Sequence, residues 1–133
     1  MAEIYVARSA TLNKWASDVG LSKNVFKVGC TDAPLKPLIH AGWAGESDWA
    51  LVKKQEVEGV TEDEIIDRLS GKEKMIDPNL YPKIKGATGI FKVSPTHVEN
   101  HILVSRALAG EQNRAPKLKP VDFAAYLIHN ALR

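Results

Sequence analysis

Two histidines and a single cysteine are the first residues whose type and spacing suggest chemistry. His97 and His101 are four positions apart, so on a helix they lie on one face, where two imidazoles can share a metal ion. The order is not the His-Glu-x-x-His of zinc peptidases, and no third ligand is evident. Cys30 is the only thiol, and His40, ten residues on, is the base nearest to it along the chain. Because nothing in the sequence fixes their approach, an inert thiol is the favoured interpretation of Cys30.

Glu64 and Trp43 each stand in a recognisable local pattern. Thr61 and Glu64 have the spacing of a capping box, in which the threonine hydroxyl accepts from the amide three residues on and the glutamate reaches back. Trp43 lies in a loop between Gly42 and Gly45. An aromatic there either plugs the core beneath a turn, which is favoured, or stacks on a nucleobase.

The elements that must position these residues follow from the hydrophobic pattern. Alternation predicts a small antiparallel sheet of three to four strands near residues 3–7, 25–29, 49–57 and 90–93. Helices are predicted between and after them: a short one around Trp15, then 37–41, 61–70, one opening at Ser94-Pro95, and a last one through Phe123. Residues 72–89 are predicted as a structured loop. This order predicts an α+β fold, with helices flanking the sheet and an added C-terminal helix.

Particular residues are predicted to begin and end the helices. Thr11 or Asn13 would cap the helix around Trp15, and Gly20 would end it. Pro37 would stand in the first turn of its helix. We expect residues 1–110 to form one domain, with 111–133 as a linker and a helix packed on it.

The length and charge of the chain limit the classes of function that it can have. The chain has 133 residues, 44% of them hydrophobic, and a net charge of +2, which is too small to indicate a polyanion partner by itself. The charge is uneven, since 54–70 holds six acidic and two basic residues and 71–119 nine basic and four acidic ones. This pattern fits either solvated faces or a weak phosphate footprint around 82–92 and 114–119. No apolar run approaches the ~20 residues of a membrane span, so we expect a cytoplasmic protein without membrane contact. Its oligomeric state is not predicted.

Several short segments occur in an order that resembles the GIY-YIG nuclease family. They are Ile4-Tyr-Val6, then Phe26-Lys-Val-Gly29 followed by Cys-Thr, then a short helix, a third strand and the capped acidic helix. The later Gly89–Pro95 stretch and its helix are similar to the ending of the phage-type, helicase-associated branch. The resemblance covers about residues 3–108.

The resemblance implies phosphodiester hydrolysis on nucleic acid with one divalent cation, Mg²⁺ or Mn²⁺. Tyr5 would lie near the attacking water, and Gly29 would be the glycine of the second motif. Lys27 stands where many family members have a tyrosine and would contact phosphate; a solvated strand lysine is the alternative. Glu64 would hold the metal, although its capping box explains it without one.

One departure concerns the arginine that the family places after the second strand. Between Cys30 and Leu51 the basic side chains are Lys36 and the titratable His40. Lys36 would supply charge as a point donor, without the planar fork that grips phosphate. Substrate contacts are expected from His40 together with Gly29, Thr31 and Trp43. The sequence thus predicts a degenerate nuclease, with a catalytically inactive binding or assembly module as the alternative.

Overall fold

The structure, a computed structural model, describes residues 2–21, 24–84, 87–110 and 117–132. Within these residues the chain forms five β-strands and five α-helices. The strands are β1 (Ala2–Ser9), β2 (Val25–Thr31), β3 (Trp49–Val57), β4 (Lys74–Met75) and β5 (Ile90–Lys92). The helices are α1 (Ala10–Asp18), α2 (Leu35–Ala41), α3 (Glu62–Ser70), α4 (Pro95–Leu108) and α5 (Pro120–Ala131), and a 3₁₀ turn spans Pro82–Ile84. None of these helices is long and apolar enough to cross a membrane.

The strands form one antiparallel sheet in the order β3-β1-β2-β5-β4. The predicted α+β class is confirmed. The sheet has one strand more than the three to four predicted, because β4 lies in the segment predicted as a loop. A strand of two residues is too short to show alternation of apolar and polar side chains. Residues 111–116 of the predicted linker lie outside the described residues. Positions 85–86 of the basic segment 82–92 and positions 114–116 of the basic segment 114–119 lie outside them as well.

A β-bulge in β3 determines which side chains share a face of the sheet. The pairing of β1 with β3 shifts by one residue at Val52, which has no direct partner. Because side chains alternate between faces, this extra residue reverses the alternation along β3. Lys54 therefore lies on the same face as Leu51 and Trp49, and Tyr5 of β1 is on that face as well.

Apolar side chains cover the sheet on both faces. On one face, Ile4, Val6 and Phe26 pack against residues of α3, α4 and α5. The Phe123 ring of α5 stacks on Phe26 with centroids 5.3 Å apart, which holds the C-terminal helix on the sheet. The opposite face packs against α1 and the segment around the 3₁₀ turn. That second face also carries Tyr5 and receives α2 at its edge.

The start of α1 differs from the prediction. Its N-cap is Ser9, whose hydroxyl accepts from the amide three residues on at 3.1 Å. Thr11 lies inside the helix, and its backbone amide and hydroxyl donate to the Asp48 carboxylate at 2.9 and 2.8 Å. Asn13 is buried, and its side-chain amide bonds both backbone groups of Val25, at 2.8 and 3.1 Å. Thr11 and Asn13, the two predicted caps, therefore bond residues distant in sequence instead of capping the helix.

Two other helix ends bear on the predictions. Gly20 follows the end of α1 with φ +80°, as the predicted left-handed C-terminal position requires. Helix α2 begins two residues before Pro37, which stands in its first turn. Proline is tolerated there because the first-turn N–H groups have no partner within the helix.

Candidate functional site

A cavity of about 260 Å³ opens where β1, β2, α2 and the start of α3 meet. Its lining includes a tyrosine, a lysine and a glutamate: Tyr5 from β1, Lys27 from β2, and Glu62, the first residue of α3. The full set of lining residues is Tyr5, Lys27, Cys30, Thr31, Leu38, Trp43, Glu62, Ala87 and Thr88. The cavity thus combines a phenol, an ammonium and a carboxylate.

Gly29 leaves room for the phenol and the carboxylate, which both approach it closely. A Cβ at this position would lie 2.6 Å from Glu62 Oε1 and 2.5 Å from Tyr5 Cζ, and still closer to the Tyr5 hydroxyl. Such distances are well inside van der Waals contact. Beside Gly29, the Cys30 N–H donates to Glu62 Oε1 at 3.2 Å and orients the carboxylate. The absence of a side chain at 29 is therefore what leaves room for both groups.

Trp43 forms one wall of the cavity. Its indole stacks on the Tyr5 ring, with centroids 5.8 Å apart and planes at 17°, and it meets Trp49 edge-on at 5.1 Å. Lys27 Nζ lies 5.4 Å from the Trp43 ring centre and 5.9 Å from that of Tyr5, within the range of cation–π attraction. The Trp49 indole N–H donates to the Trp43 carbonyl at 2.9 Å. The indole packs against the core, as the plug interpretation predicts, and also shapes the cavity.

Burial sets the protonation of the cavity groups. It raises the pKa of Tyr5, and the Glu62 carboxylate raises it further, so the phenol keeps its proton at neutral pH. Burial lowers the pKa of Lys27, while Glu62 acts in the opposite sense. Burial, then Glu62 and Asp32, raise the pKa of Cys30, which supports the inert-thiol interpretation. The cavity therefore offers a neutral phenolic donor beside a lysine and a carboxylate.

Glu62, rather than the predicted Glu64, is the carboxylate in this cavity. The Glu64 amide does bond the Thr61 hydroxyl at 3.2 Å, so the threonine half of the predicted capping box is formed. The Glu64 carboxylate, however, lies 3.6 Å from the Arg68 guanidinium, four residues along α3. Helical spacing could have identified Glu62, because it stands three and seven positions before the buried residues Ile65 and Leu69.

The structure places the other predicted site residues in two groups. Thr31 and Trp43 line the cavity with Tyr5 and Lys27. Lys36 and His40 instead line a separate groove between α2 and β3. Lys27 is 4% exposed, so it is an interior residue of the cavity and the solvated-lysine alternative is wrong.

The two histidines on α4 have other partners. His97 Nδ1 lies 2.6 Å from Oε2 of Glu73, a buried carboxylate that also accepts from the Tyr126 hydroxyl at 3.3 Å. The His101 ring contacts Tyr126 edge-on at 5.6 Å and His129 at 4.8 Å. In the part of the chain that the structure describes, no three His, Cys, Asp or Glu side chains are grouped to hold a metal ion.

Comparison with known proteins gave no relatives. No protein-family model matches the chain, and no curated protein or solved structure does so.

Proposed function

We propose that this chain is a GIY-YIG-related domain that acts on nucleic acid and hydrolyses a phosphodiester bond in the cavity with the help of a divalent cation. The observation that carries the proposal is the convergence of Tyr5, Lys27 and Glu62 beside Gly29. Tyr5 and Gly29 are the residues that match the two family motifs, and Glu62 takes the role that the sequence suggested for Glu64.

The chemistry of phosphodiester cleavage requires groups that stabilise added negative charge. Among the described residues, Lys27 is the basic side chain of the cavity lining. Its ammonium donates to the Val28 carbonyl at 3.3 Å and can also contact a phosphate in the cavity. Tyr5, kept neutral by its raised pKa, can donate a hydrogen bond or orient a water molecule, but it cannot act as a phenolate base near neutral pH. The two residues thus have distinct roles, charge neutralisation and positioning.

Glu62 fits a divalent cation. Mg²⁺ is commonly held by one or two carboxylates, keeps several of its waters and takes further ligands from substrate phosphates. Glu62 offers one carboxylate, whose orientation is fixed by the Cys30 N–H. When bound, Mg²⁺ or Mn²⁺ would supply charge stabilisation at the scissile phosphate.

A second candidate is a module that binds a phosphodiester without cleaving it. One observation favours it: no arginine is among the described residues that line the cavity. Lysine gives charge but not the bidentate geometry of a guanidinium.

The experiment that separates the candidates is a cleavage assay on plasmid and branched DNA with Mg²⁺, Mn²⁺ or EDTA. Tyr5→Phe and Lys27→Met should each reduce metal-dependent cleavage by about 10²-fold, the loss typical of removing one stabilising group. Tyr81→Phe and Lys53→Met, which alter the same residue types outside the cavity lining, should cleave as the wild type does.

The remaining outcomes decide between the two candidates. Salt-sensitive DNA binding that Lys27→Met weakens, without any cleavage, would support the binding module and exclude the nuclease. Neither cleavage nor binding by the wild-type protein would overturn both.

A further inference from the structure

A second groove, of about 390 Å³, lies between α2 and β3, and α2 also contributes to the cavity. Its apolar surface comes from α2 and from β3, and basic side chains stand among the apolar ones. The lining residues are Leu35, Lys36, Ile39, His40, Ser47, Trp49, Leu51 and Lys54. Among the described residues, this lining has two lysines and a histidine and no carboxylate. The groove is therefore complementary to a ligand that carries both an apolar ring and negative charge.

Local backbone geometry brings these basic residues together. Lys36 and His40 are four positions apart on α2 and so share one side of the helix. Lys54 reaches the same region because the bulge at Val52 reverses the alternation of β3. The Lys54 ammonium is 3.6 Å from the Glu3 carboxylate and its side chain is 56% exposed. Such an exposed ion pair is weak, so an incoming phosphate can replace it.

The groove and the cavity are neighbours. Helix α2 contributes Leu38 to the cavity and Ile39 to the groove. Trp43 of the cavity and Trp49 of the groove have ring centroids 5.1 Å apart and share a hydrogen bond. The cavity and the groove therefore share a wall that α2 and this tryptophan pair form.

We propose that the groove binds the nucleotide adjacent to the phosphate in the cavity, with its base on the apolar surface at Leu51 and its phosphate at Lys36 and Lys54. This inference rests on the proposed function. The bound nucleotide must be unpaired, because a base inside a duplex is stacked on its neighbours and cannot reach a protein groove. The substrate class is thus single-stranded nucleic acid, or the unpaired part of a branched one. Proteins that bind such strands without sequence readout combine a positively charged groove with aromatic side chains on which the bases stack. Trp49 supplies an aromatic ring in this lining.

The test is fluorescence anisotropy with a labelled oligothymidylate of about ten nucleotides, in EDTA so that no cleavage occurs. Lys36→Gln and Lys54→Gln should each weaken binding and remove one phosphate contact. For single strands, each phosphate contact makes the logarithm of the affinity fall with the logarithm of the salt concentration with a slope near 0.7. The loss of affinity between about 50 and 200 mM salt should therefore be about 2.5-fold smaller in each variant than in the wild type. Lys53→Gln is the matched control, because it neighbours Lys54 on the opposite face of the strand.

A second pair of variants tests the apolar surface. Leu51→Glu should weaken binding about tenfold, because it removes apolar contact with the base and adds a negative charge near the phosphate. Leu80→Glu introduces the same charge at a residue that is 72% exposed and distant from the groove lining, and it should leave binding unchanged. Circular dichroism of every variant checks that the fold is retained.

The outcomes separate the two proposals. If Lys36→Gln and Lys54→Gln behave as Lys53→Gln does, while the cavity variants still abolish cleavage, the groove proposal is overturned and the proposed function stands. If a poly-glutamate peptide of equal charge displaces the oligonucleotide equally well, the groove takes acidic peptide and the nucleotide assignment is overturned. Absence of both cleavage and binding in the wild-type protein overturns the proposed function and the groove together.

Discussion

Replacing Gly29 by alanine tests the close packing at the centre of the proposed site. The added methyl would lie 2.6 Å from Glu62 Oε1 and 2.5 Å from Tyr5 Cζ, so at least one of these side chains must move. Tyr5 is held by its stack on Trp43, and Glu62 by the hydrogen bond from the Cys30 amide. Either movement therefore breaks a contact that the structure shows.

The size of the effect follows from two opposing contributions. Extra volume in a well-packed site costs about 1–3 kcal/mol. Alanine recovers about 0.5–1 kcal/mol, because glycine in a strand loses more backbone entropy on folding. The free energy of unfolding of Gly29→Ala should therefore fall by about 1–2 kcal/mol. For a chain of this length, the melting temperature should fall by about 4–8 °C.

The assay is thermal unfolding followed by circular dichroism, with Gly71→Ala as the control. Gly71 has an ordinary φ of −80°, and a Cβ there would meet its nearest neighbour at 3.6 Å. Its substitution should leave the melting temperature unchanged or raise it by a few degrees. A Gly29→Ala protein that melts at or above the wild-type temperature would refute the close approach of Tyr5 and Glu62.

Three further predictions concern stability. Ser9→Ala removes the N-cap of α1 and should lower the free energy of unfolding by about 1–2 kcal/mol in urea; an unchanged midpoint would contradict this. The Ser9 hydroxyl, with the Thr11 amide, lowers the pKa of Asp48 to about 2 from near 3.9. The stability that the ionised Asp48 contributes is complete above pH 4 and is lost as the pH falls through 2. Asp48→Asn should therefore make the melting temperature depend less on pH between 4 and 2. Burial, then Glu73, raise the pKa of Tyr126 to about 12. The contribution of the neutral phenol to the free energy of unfolding is therefore complete below pH 10 and is lost as the pH rises toward 12. Tyr126→Phe should make that alkaline decrease shallower; equal profiles would contradict either pH prediction.

Much of the fold could be predicted because its long strands have clear patterns. The third strand was predicted with its observed bounds, Trp49–Val57, and the first two within two residues at each end. The cap of α1 could not be predicted, because Thr11 hydrogen-bonds Asp48, which lies 37 residues away in the chain. The bulge at Val52 was missed for a similar reason, since it depends on the register with β1. Local pattern thus indicates elements, while long-range partners determine their ends and irregularities.

The candidate site was predicted in part. Tyr5, Lys27 and Gly29 were chosen from motif order, and the structure brings them together. The family resemblance places the metal-binding glutamate on the helix after the third strand, where Glu64 is the predicted match, although its capping box explains it without a metal. Spacing from the buried face of α3 favours Glu62 instead. Spacing alone separates Glu62 from Glu64, which is two positions further along the helix, but the cavity that Glu62 enters is formed only when α3 packs beside β1 and β2.

The most direct test of the central proposal compares Glu62→Gln with Glu64→Gln in Mg²⁺-dependent cleavage of branched DNA. The two variants remove the same charge from one helix turn, but only Glu62 lines the cavity. We predict that Glu62→Gln loses about 10²–10³-fold in rate while Glu64→Gln retains wild-type activity. Equal losses in both variants, or an active Glu62→Gln protein, would contradict the assignment of the site.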